Sequence, residues 1–307
     1  MTTFARNPLT GLISAPFTPF YPDGSVNYAL IPKLAKHLSA TGVSGAFVCG
    51  TTGEGASLTL TERLEVARAW RAVATSGLRV IVHVGSNSVE DSKVLAREAE
   101  RVGADAFATL APSFFRPEGI TGLLDWCAAI ARAAPKLPFY YYHMPAMTGV
   151  GGSMAEFLPR AAERIPNFAG IKFTHENLMD YMLTVAAAGA KHDILFGRDE
   201  ILLSALVVGA PGGVGSTYNY IAPIFQRVVA AFKAGDFARA RDQQLLATLI
   251  IEVMVRHGGL AAGKAIMGLI GLDCGPMRQP LRSLAPESVE ALRADLDKVG
   301  FFAALRG

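Results

Sequence analysis

The sequence predicts an α/β protein built as a closed (β/α)8 TIM barrel with extra C-terminal helices, and three observations carry that expectation. Eight short apolar or β-branched segments recur along the chain before residue 216. Each is nearly continuous in hydrophobicity, as parallel strands covered by helices require, whereas antiparallel strands with one wet face would alternate. The segments between them have helical period, and the strand-plus-helix unit returns about every 20 to 35 residues, the spacing of a barrel unit. A doubly wound open sheet is the main rival, but it would normally carry GxGxxG at its first turn, and residues 11–20 hold nothing of the kind.

The predicted strands, in order, begin with Gly11-Leu12-Ile13-Ser14-Ala15-Pro16, Gly45-Ala46-Phe47-Val48-Cys49, Arg79-Val80-Ile81-Val82-His83-Val84 and Ala106-Phe107-Ala108-Thr109-Leu110. The series continues with Pro138-Phe139-Tyr140-Tyr141-Tyr142-His143, Gly170-Ile171-Lys172-Phe173, Ile194-Leu195-Phe196-Gly197 and Gly212-Gly213-Val214-Gly215. Helices are expected over 27–41, 61–76 and 88–102, closed by Gly42, Gly77 and Gly103, since glycine readily takes the left-handed turn that ends a helix. Beyond the eighth strand, 224–232, 237–256, 263–270 and 286–299 read as four helices, more than a barrel needs. The expected organisation is a barrel over 1–221 and a helical extension over 222–307 packed on it, with apolar faces available for subunit contacts.

Composition narrows the function classes. The 29 Lys+Arg against 26 Asp+Glu leave +3, and the basic residues are scattered, so nucleic acid is not an expected partner. Cys49, Cys127 and Cys274 lie far apart without CxxC or histidine spacing, which argues against a zinc site or a disulfide framework and points to a reducing cytoplasm. Residues 1–10 lack the build of a signal peptide, and apolar runs such as 245–255 are interrupted by Glu252 and too short to span a bilayer. A cytoplasmic protein without membrane contact is therefore expected.

In a barrel the reactive groups gather where strands end, so each strand end is read with its following loop. Lys172 closes an apolar strand between Pro166-Asn167 and His175-Glu176-Asn177. Burial favours the neutral amine, which can attack a ketone carbon and form a Schiff base; the alternative is a paired lysine whose head reaches solvent. Tyr142 ends the fifth strand, and neighbouring strands are about 4.8 Å apart, so its phenol could pass protons beside Lys172. Gly50-Thr51-Thr52-Gly53-Glu54-Gly55 offers hydroxyls and free N–H groups to a small anion, or is simply a tight turn. Gly197-Arg198-Asp199-Glu200 and Gly215-Ser216-Thr217 suit a polyhydroxylated ligand, although Asp199 and Glu200 could equally cap the helix expected from Ile201. No HxxxH or HxxE spacing suggests a metal, and His83 and His143 are assigned to packing or supporting hydrogen bonds.

Taken together, Gly50-Thr51-Thr52-Gly53-Glu54, Tyr140-Tyr141-Tyr142-His143-Met144-Pro145-Ala146-Met147-Thr148-Gly149-Val150, Gly170-Ile171-Lys172-Phe173-Thr174 and Gly215-Ser216-Thr217-Tyr218-Asn219 resemble the dihydrodipicolinate synthase/N-acetylneuraminate lyase family of class I aldolases, over residues 11–284. Within it, the tyrosine-rich fifth strand, Gly197-x-Asp199-Glu200 and Lys264-Ala265-Ile266-Met267 look most like the sialic acid lyases, particularly the animal type. The resemblance implies that Lys172 forms the Schiff base and Tyr142 shuttles protons, with no cofactor. It further implies that Thr51 and Thr52 grip the pyruvate-end carboxylate, that Thr174, Gly197, Asp199, Glu200 and Ser216 line the sugar end, and that the protein is a homotetramer. One departure stands out: where many relatives carry a tyrosine donated across a dimer interface, this chain has Phe114, which cannot pass a proton.

The leading expectation is reversible cleavage of N-acetylneuraminate to N-acetylmannosamine and pyruvate. A synthase condensing pyruvate with aspartate semialdehyde would bring a second carboxylate, for which relatives place an arginine where Met147 stands here, and Asp199-Glu200 would repel it. A different 2-oxo acid, or a binding protein that has lost catalysis, are the remaining alternatives.

Overall fold

Strands β1 (Gly11–Ser14), β2 (Gly45–Val48), β3 (Arg79–His83), β4 (Ala106–Leu110), β5 (Phe139–His143), β6 (Phe168–Phe173), β7 (Asp193–Phe196) and β8 (Gly212–Gly215) close into one barrel. They pair in chain order and in parallel, β8 returning to β1 with Ser14 beside Gly215. The computed structural model describes residues 7–74 and 77–305. The amino-terminal residues 1–6 and the expected end of the second helix at Ser76 lie outside the described residues.

The helices are α1 (Ile31–Ala40), α2 (Leu60–Val73), α3 (Val89–Arg101), α4 (Gly119–Ala131), a short α5 (Pro145–Thr148), α6 (Met154–Arg164), α7 (Leu178–Ala188), α8 (Leu202–Val207) and α9 (Ala222–Lys233). They are followed by α10 (Phe237–Arg256), α11 (Leu260–Leu269), α12 (Pro286–Lys298) and α13 (Phe301–Ala304). The first helix starts later than the expected residue 27, after a tight turn at Tyr28–Leu30. The second starts earlier than 61, because Thr59 and Glu62 form a reciprocal capping box that satisfies two free N–H groups ahead of it.

Two apolar layers hold the barrel. On β5, Tyr140 and Tyr142 point into the inner layer with Ile13, Phe47, Ile81 and Val214. Tyr141 points outward onto Phe157 of α6, ring centroids 4.9 Å apart, the alternation a strand imposes. That alternation decides which side chains of a strand can face a ligand. Among the described residues no single helix is long and apolar enough to cross a membrane.

One of the ties between the C-terminal helices and the barrel runs through the loop after β2. Lys264 of α11 donates to Glu54 Oε1 and to the Pro276 carbonyl, both at 2.7 Å, and the Arg278 amide donates to Glu54 Oε2 at 2.8 Å. The Lys264 and Glu54 side chains are buried. Glu54 holds φ at 53°, a left-handed conformation disfavoured for a side-chain-bearing residue, so the surrounding contacts must hold it there.

Candidate active site

All nine residues singled out from the sequence line one cavity of about 230 Å³ at the carboxyl ends of the strands: Lys172, Tyr142, Thr51, Thr52, Thr174, Gly197, Asp199, Glu200 and Ser216. Strand register brings the first two together, because Tyr142 on β5 pairs directly with Lys172 on β6. Lys172 Nζ lies 3.9 Å from the centroid of the Tyr142 ring and 4.1 Å from that of Phe47. The residue is 4% exposed, so its amine is removed from water. Desolvation lowers its pKa below the usual lysine range, opposed by Tyr142 and Asp199. The expected solvent-reaching alternative for this lysine does not occur.

Around the amine the polar groups form two sets. On one side, Tyr142 Oη lies 3.4 Å from Thr51 Oγ1 and donates to Met144 Sδ at 2.9 Å. Thr51 and Thr52 come from the turn after β2, braced by the Glu54 amide donating to the Thr51 carbonyl at 3.0 Å. On the other side, Asp199 Oδ2 accepts from the Thr217 amide at 2.9 Å and the Thr217 hydroxyl at 2.7 Å. Burial pushes the Asp199 carboxyl up to about 6, against the pull of the Thr217 hydrogen bonds. No side-chain cap bond is made by Asp199 or Glu200 at the start of α8, which opens only at Leu202. The capping alternative therefore gives way, for Asp199, to a bond across to the β8 loop.

Two glycines make this half of the site possible. A Cβ on Gly215 would sit 2.0 Å from Asp199 Oδ1, and one on Gly197 would sit 1.9 Å from Thr174 Oγ1. Only a residue without a side chain lets these groups approach so closely. Thr174 Oγ1 is buried with no hydrogen-bond partner among the described residues, a donor left to a ligand or a water.

Several lining residues were not anticipated. Arg198 is paired with Glu176 and, at 3.4 Å, with Glu200, so the Glu200 carboxylate is held from its neighbour. Ile251, Met254 and Val255 of α10 and Leu260 of α11 roof the cavity with apolar surface. His83, assigned to support, directs Nδ1 at the Cys49 carbonyl 3.0 Å away, and burial pushes its pKa down to about 3. His143 packs against Phe173, ring centroids 5.1 Å apart. Phe114 is 77% exposed and does not line the cavity, so it stands outside the proton path of this chain taken alone. No cluster of three or more metal-ligating side chains occurs among the described residues.

The model of the dihydrodipicolinate synthetase family matches residues 8–299. The chain belongs to that family. It is 40% identical over 303 residues to the N-acetylneuraminate lyase of Pongo abelii, covering 97% of this chain and 95% of that one. To N-acetylneuraminate lyase A of Xenopus laevis it is 43% identical over 284 residues, covering 91% and 93%. Among solved structures, the Proteus mirabilis N-acetylneuraminate lyase superposes with a TM-score of 0.93 at 42% identity, covering 96% of this chain and 100% of that one.

Proposed function

We propose that the protein is a Schiff-base aldolase that reversibly cleaves N-acetylneuraminate to N-acetylmannosamine and pyruvate. The observation that carries the reading is the desolvated Lys172 amine held over the Tyr142 ring inside a cavity with acceptors at one end and threonine hydroxyls at the other. Its similarity to N-acetylneuraminate lyases over nearly the whole chain supports the choice of substrate.

The uncharged Nζ attacks C2 of the open-chain 2-oxo acid, and loss of water leaves a protonated Schiff base. Removal of the C4 hydroxyl proton then breaks the C3–C4 bond, the electron pair moving into the iminium to give an enamine while the aldehyde sugar departs. Protonation of C3 and hydrolysis release pyruvate and restore the amine. Tyr142 is the proton carrier nearest the amine, and with Phe114 in the neighbouring loop a substrate hydroxyl or water completes the path. Thr51 and Thr52 take the carboxylate, while Thr174, Gly197, Asp199, Glu200 and Ser216 receive the hydroxylated chain.

Three buried, free cysteines support a cytoplasmic location. We take 222–307 as a C-terminal extension of the 1–221 barrel, since α10 and α11 supply the roof of the cavity. A homotetramer is inferred, supported by exposed Phe114, Phe115, Met179 and Met182, apolar surface that a subunit contact would cover; light scattering that returned a monomer would remove that inference.

Borohydride trapping tests the chemistry. Pyruvate plus borohydride is expected to add a reduced adduct to the wild type and none to Lys172→Ala, and absence of the adduct from both would leave a binding protein. Pyruvate release is then assayed across 2-oxo sugar acids, and strong turnover of another acid with N-acetylneuraminate inert would reject the substrate.

A further inference from the structure

The thioether of Met144 occupies a place the cleavage reaction does not itself require. Its Sδ lies 2.9 Å from Tyr142 Oη and 3.7 Å from Thr51 Oγ1, while those two hydroxyls are 3.4 Å apart. A thioether has no proton to give, so it can only accept, and weakly. Sulfur can accept from either hydroxyl, and the shorter contact, 2.9 Å against 3.7 Å, favours the phenol proton pointing at sulfur with the Tyr142 lone pairs open to the Thr51 hydroxyl. A stronger acceptor, such as a carboxylate or keto oxygen of an incoming substrate, displaces sulfur at little cost.

We propose that Met144 is a positioning residue that parks the Tyr142 proton on a weak acceptor until substrate takes it, and that oxidation of this thioether by peroxide arrests the enzyme. The inference rests on the aldolase reading and deepens it. In the oxidation, the sulfur lone pair attacks the O–O bond of hydrogen peroxide. Sulfur gains one oxygen and loses two electrons, and the other peroxide oxygen leaves as water. The sulfoxide oxygen is a strong acceptor. Bonded to Tyr142, it would not yield to substrate, and its bulk would crowd Thr51. Met144 is partly exposed and lines the cavity, so peroxide reaches it by the route substrate uses.

A second thioether gives an internal control. Met254 of α10 also lines the cavity and accepts from Tyr220 Oη at 2.9 Å, but Tyr220 does not border Lys172. Met147, Met179 and Met182 are more exposed than Met144.

The test compares the wild type with Met144→Leu, Met254→Leu and Met144→Gln, before and after hydrogen peroxide. Turnover of N-acetylneuraminate, the rate of borohydride trapping with pyruvate and peptide masses are followed together. Met144→Leu keeps the volume and loses the acceptor. Its kcat is expected to fall roughly two- to tenfold, the scale of one neutral hydrogen bond, with KM changed less than about twofold. Peroxide is expected to lower turnover of the wild type and of Met254→Leu by roughly tenfold or more as oxygen appears on Met144, with recovery on treatment with methionine sulfoxide reductases. Met144→Leu is expected to lose no further activity, and Met144→Gln, which fixes a strong acceptor at the same place, to resemble the oxidised wild type. Peroxide inactivation of Met144→Leu at the wild-type rate, or full activity with Met144 oxidised, overturns the proposal and leaves the aldolase reading intact. A wild type that traps no pyruvate before peroxide removes both.

Discussion

Lys172 and Tyr142 are direct partners across β5 and β6, and the amine rests 3.9 Å over the phenol ring. The ring and the hydroxyl of Tyr142 therefore have separable duties: the ring face covers the amine, and the hydroxyl handles protons. Tyr142→Phe keeps the first and deletes the second. It is expected to form the borohydride-trapped adduct with pyruvate while turnover falls by at least roughly 10²-fold, the usual loss for a positioned acid or base. Single-turnover trapping beside steady-state assays reads both, and unchanged turnover would place the proton elsewhere.

The same burial makes Lys172 a destabilising residue. Its pKa is lowered in the fold, so the unfolded chain binds its proton more readily, and this group's cost is greatest at low pH and fades as pH rises toward the ordinary lysine value. Lys172→Met fills similar volume without the charge. The variant is expected to lack activity and to melt higher than the wild type at neutral pH, with the gain shrinking in alkaline buffer. Melting curves across pH check this, and a lower melting temperature at pH 7 would contradict it.

The barrel was legible because its strands are buried on both faces, which leaves continuous apolar runs such as Val80-Ile81-Val82. Lys172 stood out because a charge at the end of such a run has few structural excuses, and Asp199 because with Glu200 it places paired acceptors just past a strand end. Contacts made across closure were not legible. The Asp199 bond to Thr217 depends on β7 and β8 being neighbours, and the Met144 contact depends on a side-chain path no periodicity encodes. The roof from α10 and α11 is apolar, and apolar residues in a helix read alike whether they face a core or a ligand. The alternative of a side-chain cap from Asp199 or Glu200 gives way for a related reason: both acids do lie in the first turn of the short helix Asp199–Ile201, but the neighbouring β8 loop offers Asp199 two donors from Thr217.

The buried pair of Lys264 and Glu54 joins α11 to the turn that carries Thr51 and Thr52. Deleting one partner strands the other charge in a dry site, which costs about 3–5 kcal/mol in comparable buried pairs. Lys264→Met and Glu54→Gln are each expected to melt well below the wild type. The double variant should recover much of that loss, because neither charge is then left alone. Denaturant unfolding of the four proteins measures the coupling, and additive losses would show that the two side chains act separately. If the turn depends on this anchor, the surviving double variant will also show a raised KM for substrate through the carboxylate end.

Asp199 titrates inside the working range, and the direction of its effect can be stated. Its folded pKa is raised to about 6 from the ordinary aspartate value, so the native state holds its proton more tightly than the unfolded chain. The stability it supplies is full at pH below the unfolded value and is lost as pH climbs through about 6, where a buried carboxylate must form. Binding runs the other way. The ionised carboxylate is the better acceptor for sugar hydroxyls, so KM for N-acetylneuraminate is expected to fall as pH rises from 5 to 7, roughly tenfold at most on the scale of charged against neutral hydrogen bonds. Pyruvate, which does not reach the hydroxylated end, should show no such step in its trapping affinity. Asp199→Asn is expected to abolish the step and to hold KM at its high value at every pH, while removing the loss of stability across the same interval. Steady-state kinetics paired with melting curves would separate these effects, and an Asp199→Asn enzyme that kept the wild-type pH profile would assign the titration to another group.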